Sequence, residues 1–248
     1  MQQFTVNDLC TCVYGDRAAL AIAAAQQARD RLLSAIAQRG EATLILATGN
    51  SQKQFLEYLT QDSTIDWSKI TIFHLDEFLG IEPHHPGSFR RYLRDRVATQ
   101  ISPRHFHYLQ GDTDRPQGEC DRYTALLQAQ PLDLALLGIG TNGHLAFNEP
   151  HAADFNDEAW VKVVQLETAT RQQQVNPNTF QNLEAVPTAA LTLTLTALKA
   201  TQKLICLAPG SKKAQIVKTT LNSPISSHWP ASFLRLLPQA VLYATTLS

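Results

Sequence analysis

Four short segments of the 248-residue chain carry the residue types that chemistry requires. Asp76-Glu77 is a carboxylate pair directly behind the apolar run 71–75. A carboxylate is costly to bury without a partner. The pair therefore either caps the next turn or supplies an acid–base group with a raised pKa, and Phe78 and Leu79 favour such tuning. In the second segment, His144 and Glu149 of H-L-A-F-N-E offer a proton relay. A neutral imidazole moves protons near pH 7, and a carboxylate can fix its tautomer. A loop histidine making ordinary hydrogen bonds is the plainer alternative, but Gly138, Gly140 and Gly143 let backbone approach a ligand closely.

The other two segments suit an anion. Thr48-Gly49-Asn50-Ser51 joins a strand to a helix through small and hydroxyl residues. Free amides and the positive helix end suit a phosphate there, although a tight turn with a helix cap would use the same residues. Gly210-Ser211-Lys212-Lys213 sets cations near a helix start, where the helix dipole disfavours them. That conflict favours ligand binding over a purely local role.

Several other chemistries are disfavoured. Residues 138–143 match G-x-G-x-x-G after a strand, with Glu167 near the distance of a ribose-binding acid. The stretch HLAFNEPHAAD has no helical period and contains Pro150, so a dinucleotide site is not expected. The phosphate-loop spacing of ATP and GTP enzymes is missing from 48–51. His144, Glu149, His151 and Asp154 could be imagined round a metal, but nothing fixes their geometry and the zinc-deaminase pattern is absent.

These segments must be positioned by the elements before them. Apolar or β-rich runs at 43–48, 69–75, 105–109, 133–138, 161–166, 203–208 and 240–244 predict strands, several covered on both faces. Helical patterns at 17–39, 52–59, 87–99, 115–129 and 212–221 alternate with them. The alternation predicts an α/β fold, an open and mostly parallel sheet with helices on both faces. All four segments follow strands, and ligands of such sheets bind outside the strand carboxyl ends where strand order reverses. The polar stretch 148–160 is expected to be a functional loop or lid.

Composition narrows the class. Hydrophobic residues at 44%, charged residues at 17% and a net charge of -1 describe an ordinary globular chain, read as a single domain over 1–248. No basic block marks a nucleic-acid or anionic-membrane partner. No signal peptide or membrane span is expected either. Cys10, Cys12, Cys120 and Cys206 match no zinc or redox spacing and predict reduced thiols in a cytoplasmic protein.

The segments LATGNS, FHLDEFLGI, HHPGSFRRYL, LLGIGTNGHLAFNEP, VPTAALTLTLTAL, APGSKKAQ and PASFLRLLP run in order from about residue 43 to 238. Through them the sequence resembles the glucosamine-6-phosphate isomerase/6-phosphogluconolactonase family, and N-E-P at 148–150 points to its deaminase branch. The resemblance implies a Rossmann-like fold and conversion of glucosamine 6-phosphate to fructose 6-phosphate and ammonia, with no redox cofactor or catalytic metal. It implies Asp76 as the base between C2 and C1, and His144 as the ring-opening group assisted by Glu149. Thr48, Gly49, Asn50, Ser51 and Lys213, rather than Lys212, would hold phosphate and hydroxyls, with Gly138 contacting substrate through its backbone.

Two positions depart from the family pattern. Asn142 stands where hexameric members have aspartate, which leaves Glu149 as the expected carboxylate neighbour of His144. The run TRQQQVNPNTF keeps Arg171 but puts Asn176 in place of a phosphate-binding arginine. The short C-terminal tail implies a non-allosteric monomer or small homo-oligomer. The alternatives are another sugar-phosphate isomerase or lactonase of the same fold, or a non-catalytic sugar-phosphate-binding regulator. The joint presence of Asp76, His144 and Glu149 speaks against the regulator.

Overall fold

The computed structural model describes residues 1–245. All seven runs expected as strands are strands: β3 (Ala42–Leu46), β4 (Ile70–His74), β6 (His105–Phe106), β7 (Leu134–Gly138), β8 (Val161–Gln165), β10 (Leu204–Ala208) and β11 (Ala240–Thr245). Four more were hidden from periodicity: β1 (Gln2–Val6), β2 (Leu9–Tyr14), β5 (Asp76–Phe78) and β9 (Ala189–Leu193). The first two form a hairpin whose turn is allowed by Asn7 at φ 51, a left-handed conformation that asparagine tolerates. The main sheet has eight strands in the order β1-β2-β11-β10-β7-β3-β4-β6, parallel except for the hairpin.

Side chains alternate across this sheet and divide the core in two. In β10, Leu204, Cys206 and Ala208 face one layer, while Ile205 and Leu207 face the other. The second layer receives Leu20, Ala24, Ala28 and Leu32 of α1 (Arg17–Arg39) and Phe55, Leu56 and Leu59 of α2 (Lys53–Thr60). The first receives Cys120, Tyr123 and Leu127 of one helix, Pro116–Gln128, and Ile216, Val217 and Leu221 of another, Ala214–Asn222. The long α1 is closed at both ends. Asp16 accepts from the Ala19 amide at 2.8 Å, and Gly40 at φ 80 donates to the Ile36 carbonyl at 2.8 Å.

Three expectations need correction. β8 is not part of the parallel sheet. It pairs antiparallel with β9 in a separate three-stranded sheet, β5-β9-β8. The strand expected over 105–109 has only two residues, because Tyr123 Oη accepts from the His74 amide (2.9 Å), shares its one proton between the carbonyls of His74 (3.1 Å) and His107 (3.0 Å), and so occupies the edge where pairing would continue. The helix expected over 87–99 starts late as α3 (Phe89–Leu93), behind a Ser88 cap, and loosens into a π-helical stretch over Arg94–Ala98. No described helix is long and apolar enough to cross a membrane.

Candidate active site

The chain moves from β3 outward to β4 and β6 on one side, and from β7 to β10 and β11 on the other. Strand order thus reverses between β3 and β7, the position where open α/β sheets bind ligands. A cavity of about 340 Å3 opens there. Around it the structure gathers Thr48, Gly49, Asn50, Ser51, Asp76, Gly138, His144 and Lys213. Leu75, Phe89, Phe147, Gln173 and Gln174 also line it, and none of these five was singled out as a site residue in the sequence. The loop 148–160 contributes nothing to that lining.

Asp76 sits where the chain leaves the main sheet. β4 ends at His74, and β5 begins two residues later, pairing Asp76 with Thr192. Its carboxylate is 8% exposed and receives no hydrogen bond from the described residues. Burial first, and the neighbouring charge of Glu77 second, push its pKa up to about 8. Glu77 lives differently. It accepts from the amides of Phe78 (2.9 Å), Phe89 (3.1 Å) and Arg90 (2.7 Å) and from Ser88 Oγ (2.8 Å), capping the start of α3. Burial pushes its pKa up as well, and these four donors oppose that push. The sequence left capping and acid–base work as alternatives for the pair. The structure divides them, with the cap at Glu77 and the exposed-to-cavity carboxyl at Asp76.

His144 lies against Gly140. A Cβ on Gly140 would come within 2.1 Å of the imidazole, so only glycine fits there. The ring Nδ1 lies 2.7 Å from Asn142 Oδ1, and Nε2 makes no hydrogen bond among the described residues. Burial, then Lys213, lower the His144 pKa to about 4, with Glu167 opposing them, so the ring is neutral at pH 7. Glu149 makes no hydrogen bond with His144. It is fully buried and its Oε2 accepts from the Glu167 amide at 2.7 Å, while Oε1 has no partner. The carboxylate nearest in the hydrogen-bond chain is Glu167, whose Oε2 accepts from Asn142 Nδ2 at 2.9 Å. The sequence offered Glu167 only as a false ribose acid.

The end of the cavity where the sequence suits an anion is built from backbone. Gly49 adopts φ 99, and its carbonyl accepts from the Gln52 amide and from Tyr92 Oη, both at 3.1 Å. The amides of Asn50 and Ser51 make no hydrogen bond among the described residues. Gln52 is fully buried and donates to the Leu137 carbonyl at 3.0 Å, tying this loop to the end of β7. Lys213 donates to the Ile139 carbonyl at 2.6 Å, and burial lowers its pKa. Lys212 lies outside this cavity. Arg171 is committed elsewhere, donating to the carbonyls of Leu183 (2.8 Å) and Val186 (2.8 Å). Asn176 lines a groove beside the loop together with Lys53 and Arg96. The Arg96 guanidinium lies 5.2 Å from the centre of the Tyr92 ring.

Of the four residues considered for a metal, the structure gathers only Glu149 and His151, joined by Glu167, with ligand atoms within 4.8 Å. The His151 nitrogens both face oxygen, Glu167 Oε1 at 3.2 Å and the Gln165 carbonyl at 3.0 Å. A ring so engaged acts as an anchor for Glu167.

Comparison with known proteins bears on this arrangement. The family model for glucosamine-6-phosphate isomerases/6-phosphogluconolactonase matches residues 15–242. The chain belongs to this family. A glucosamine-6-phosphate deaminase of Exiguobacterium sp. is 36% identical over 82% of this chain and 78% of its own length. A second, from Lactobacillus delbrueckii subsp. bulgaricus, is 33% identical over 88% and 91%. Among solved structures, a monomeric glucosamine-6-phosphate deaminase superposes with a TM-score of 0.84 at 29% identity, covering 96% of this chain and 97% of that one. A 6-phosphogluconolactonase from Shewanella baltica, 21% identical over 98% of both chains, has a TM-score of 0.78 and shares the family fold. Both branches of the family thus use this sheet.

Proposed function

We propose that the protein is a glucosamine-6-phosphate deaminase, converting glucosamine 6-phosphate and water to fructose 6-phosphate and ammonia. The observation that carries this reading is Asp76, a buried carboxyl without hydrogen-bond partners among the described residues, which lines the cavity together with Gly138 and His144. Isomerisation needs a base held over the C1–C2 edge within hydrogen-bond reach. Lactone hydrolysis breaks no C2–H bond and has no use for such a group. The deaminase relatives support the same choice.

In this reading His144 Nε2 takes the O1 proton and returns it to O5, opening the pyranose. Asp76 then removes the C2 proton and delivers one to C1. The resulting ketose imine is hydrolysed, and its nitrogen leaves as ammonia. The amides of Asn50 and Ser51, with Lys213, hold the phosphate and hydroxyl groups, and Gly138 contacts substrate through its backbone. The reading includes one catalytic domain acting as a monomer or small homo-oligomer in the cytoplasm, without cofactor or metal. The monomeric structural relative supports the monomer.

The test is a coupled assay for ammonia and ketose on glucosamine 6-phosphate, with galactosamine 6-phosphate and 6-phosphogluconolactone as competitors. Equal release of ammonia and fructose 6-phosphate is expected. In heavy water some deuterium should appear at C1 of the product. Lactone hydrolysis without ammonia would overturn the reading.

A further inference from the structure

His144 is neutral at working pH, so its usefulness depends on which nitrogen carries the proton. Only the Nδ1–H tautomer leaves Nε2 as an acceptor toward the cavity. The partner that must select this tautomer is Asn142, whose Oδ1 lies 2.7 Å from Nδ1. An asparagine is an ambiguous partner. Its amide presents an acceptor on one side and a donor on the other, and rotation by a half-turn exchanges them. A flipped Asn142 would offer N–H to Nδ1 and stabilise the opposite tautomer, with Nε2–H pointing into the cavity.

Glu167 removes the ambiguity. Its Oε2 lies 2.9 Å from Asn142 Nδ2, and a carboxylate can only accept. The His144 backbone amide donates to the same Oδ1 at 3.3 Å and favours the same orientation. Glu167 is itself held from two sides, by His151 Nδ1 at 3.2 Å from Oε1 and by its own amide donating to buried Glu149 at 2.7 Å.

We propose that Glu167 is a positioning residue: it fixes the Asn142 amide and thereby the Nδ1–H tautomer of His144. The proposal deepens the reading of His144 as the proton-transfer group, and its first readout does not require turnover. It also explains how a chain with asparagine at this position can do without a carboxylate in contact with the imidazole. The charge lies one residue further out and acts through the amide.

The decisive experiment combines nitrogen-15 NMR of the His144 ring with a double-mutant cycle. In the wild-type protein, Nδ1 should show the shift of a protonated nitrogen and Nε2 that of an unprotonated one. Glu167→Ala should move both toward a tautomer mixture and lower kcat by about tenfold or more, with a much smaller effect on KM. Glu167→Gln, which keeps the volume should the alanine variant fold poorly, should shift them in the same direction by less. In an Asn142→Asp background the sign should reverse. A carboxylate accepts from Nδ1–H either way round, and Glu167 then becomes a like charge at its side. Adding Glu167→Ala to Asn142→Asp should restore activity rather than reduce it further. An unchanged tautomer in both single Glu167 variants, or equal losses in the two backgrounds, would overturn the proposal and leave Glu167 a structural residue. A wild-type protein that shows the expected Nδ1–H tautomer and yet releases no ammonia would instead count against the catalytic reading of the site.

Discussion

Asp76 and Glu77 are consecutive in the chain and opposite in surroundings: the Glu77 carboxylate accepts four hydrogen bonds at the start of α3, while the Asp76 carboxyl, one residue earlier, accepts none from the described residues and borders the cavity. Two carboxyls with their environments driven apart are the arrangement that lets one stay charged and the other exchange a proton near neutrality. The short β5 enforces this, because successive side chains of a strand leave it on opposite sides.

The first prediction concerns pH. Asp76 must be ionised to accept the C2 proton, and its pKa in the free protein is raised to about 8. kcat/KM should therefore rise with pH, with an apparent pKa near 8 once the substrate amino group is accounted for. Bound substrate carrying an ammonium at C2 would stabilise the carboxylate, so the corresponding limb of kcat should lie lower. A kcat/KM profile that is flat from pH 6 to 9 would remove Asp76 as the base.

Stability should move the other way. Between the ordinary carboxyl pKa of 3.8 and about 8, the folded protein keeps a proton on Asp76 that the unfolded chain has released. Rising pH through that window favours unfolding, and the cost is complete above pH 8. Asp76→Asn carries no charge. It should raise the melting temperature at pH 8 by roughly 2–4 °C for each ~1 kcal/mol recovered, with little gain at pH 4, while lowering isomerisation by about 10²–10⁴-fold. Scanning calorimetry at both pH values separates these outcomes.

Gly140→Ala puts a methyl where the His144 ring now lies. The ring must move and lose its bond to Asn142, so kcat should fall by about tenfold or more. In a His144→Ala background the same change should add little further loss. Equal losses in both backgrounds would mean that the alanine acts on the loop and not on the imidazole.

The two lysines of the 211–213 turn should separate cleanly. Lys213 lines the cavity and Lys212 does not. A charge-assisted hydrogen bond contributes about 1.5–3 kcal/mol, so Lys213→Ala should weaken sugar-phosphate binding by roughly tenfold to a hundredfold. Lys212→Ala should change it much less, as measured by titration calorimetry. The reverse order would misplace the anion site.

The sequence disclosed the site more completely than the sheet around it. Residues following β3, β4, β7 and β10 converge because a parallel sheet brings its strand carboxyl ends to one edge, and that rule needs only the order of elements. β1 and β2 escaped notice because β1 opens on two glutamines and the Asn7-Asp8 hairpin turn carries no glycine. The destination of β8 was invisible for another reason. Its apolar pattern says that it is covered, not which sheet covers it. Glu167 could have been flagged only as a carboxylate between a strand and a polar helix, since its meaning comes from Asn142, 25 positions away. Arg171 shows the converse. A motif residue can be retained and still spend its donors on the carbonyls of Leu183 and Val186.

The pairing of β2 with β11 sets Cys10 beside Val241 and Tyr14 beside Thr245. A parallel contact of the main sheet is therefore made between strands near the two ends of the described chain. Long-range pairings of this kind slow folding, because the loop must close before the contact contributes. On the ribosome, β2 emerges early and waits for β11 with one edge unpaired. The hairpin with β1 shields its other edge during that interval. Deleting β1 should then reduce the yield of folded protein during synthesis more than it reduces the stability of molecules already folded.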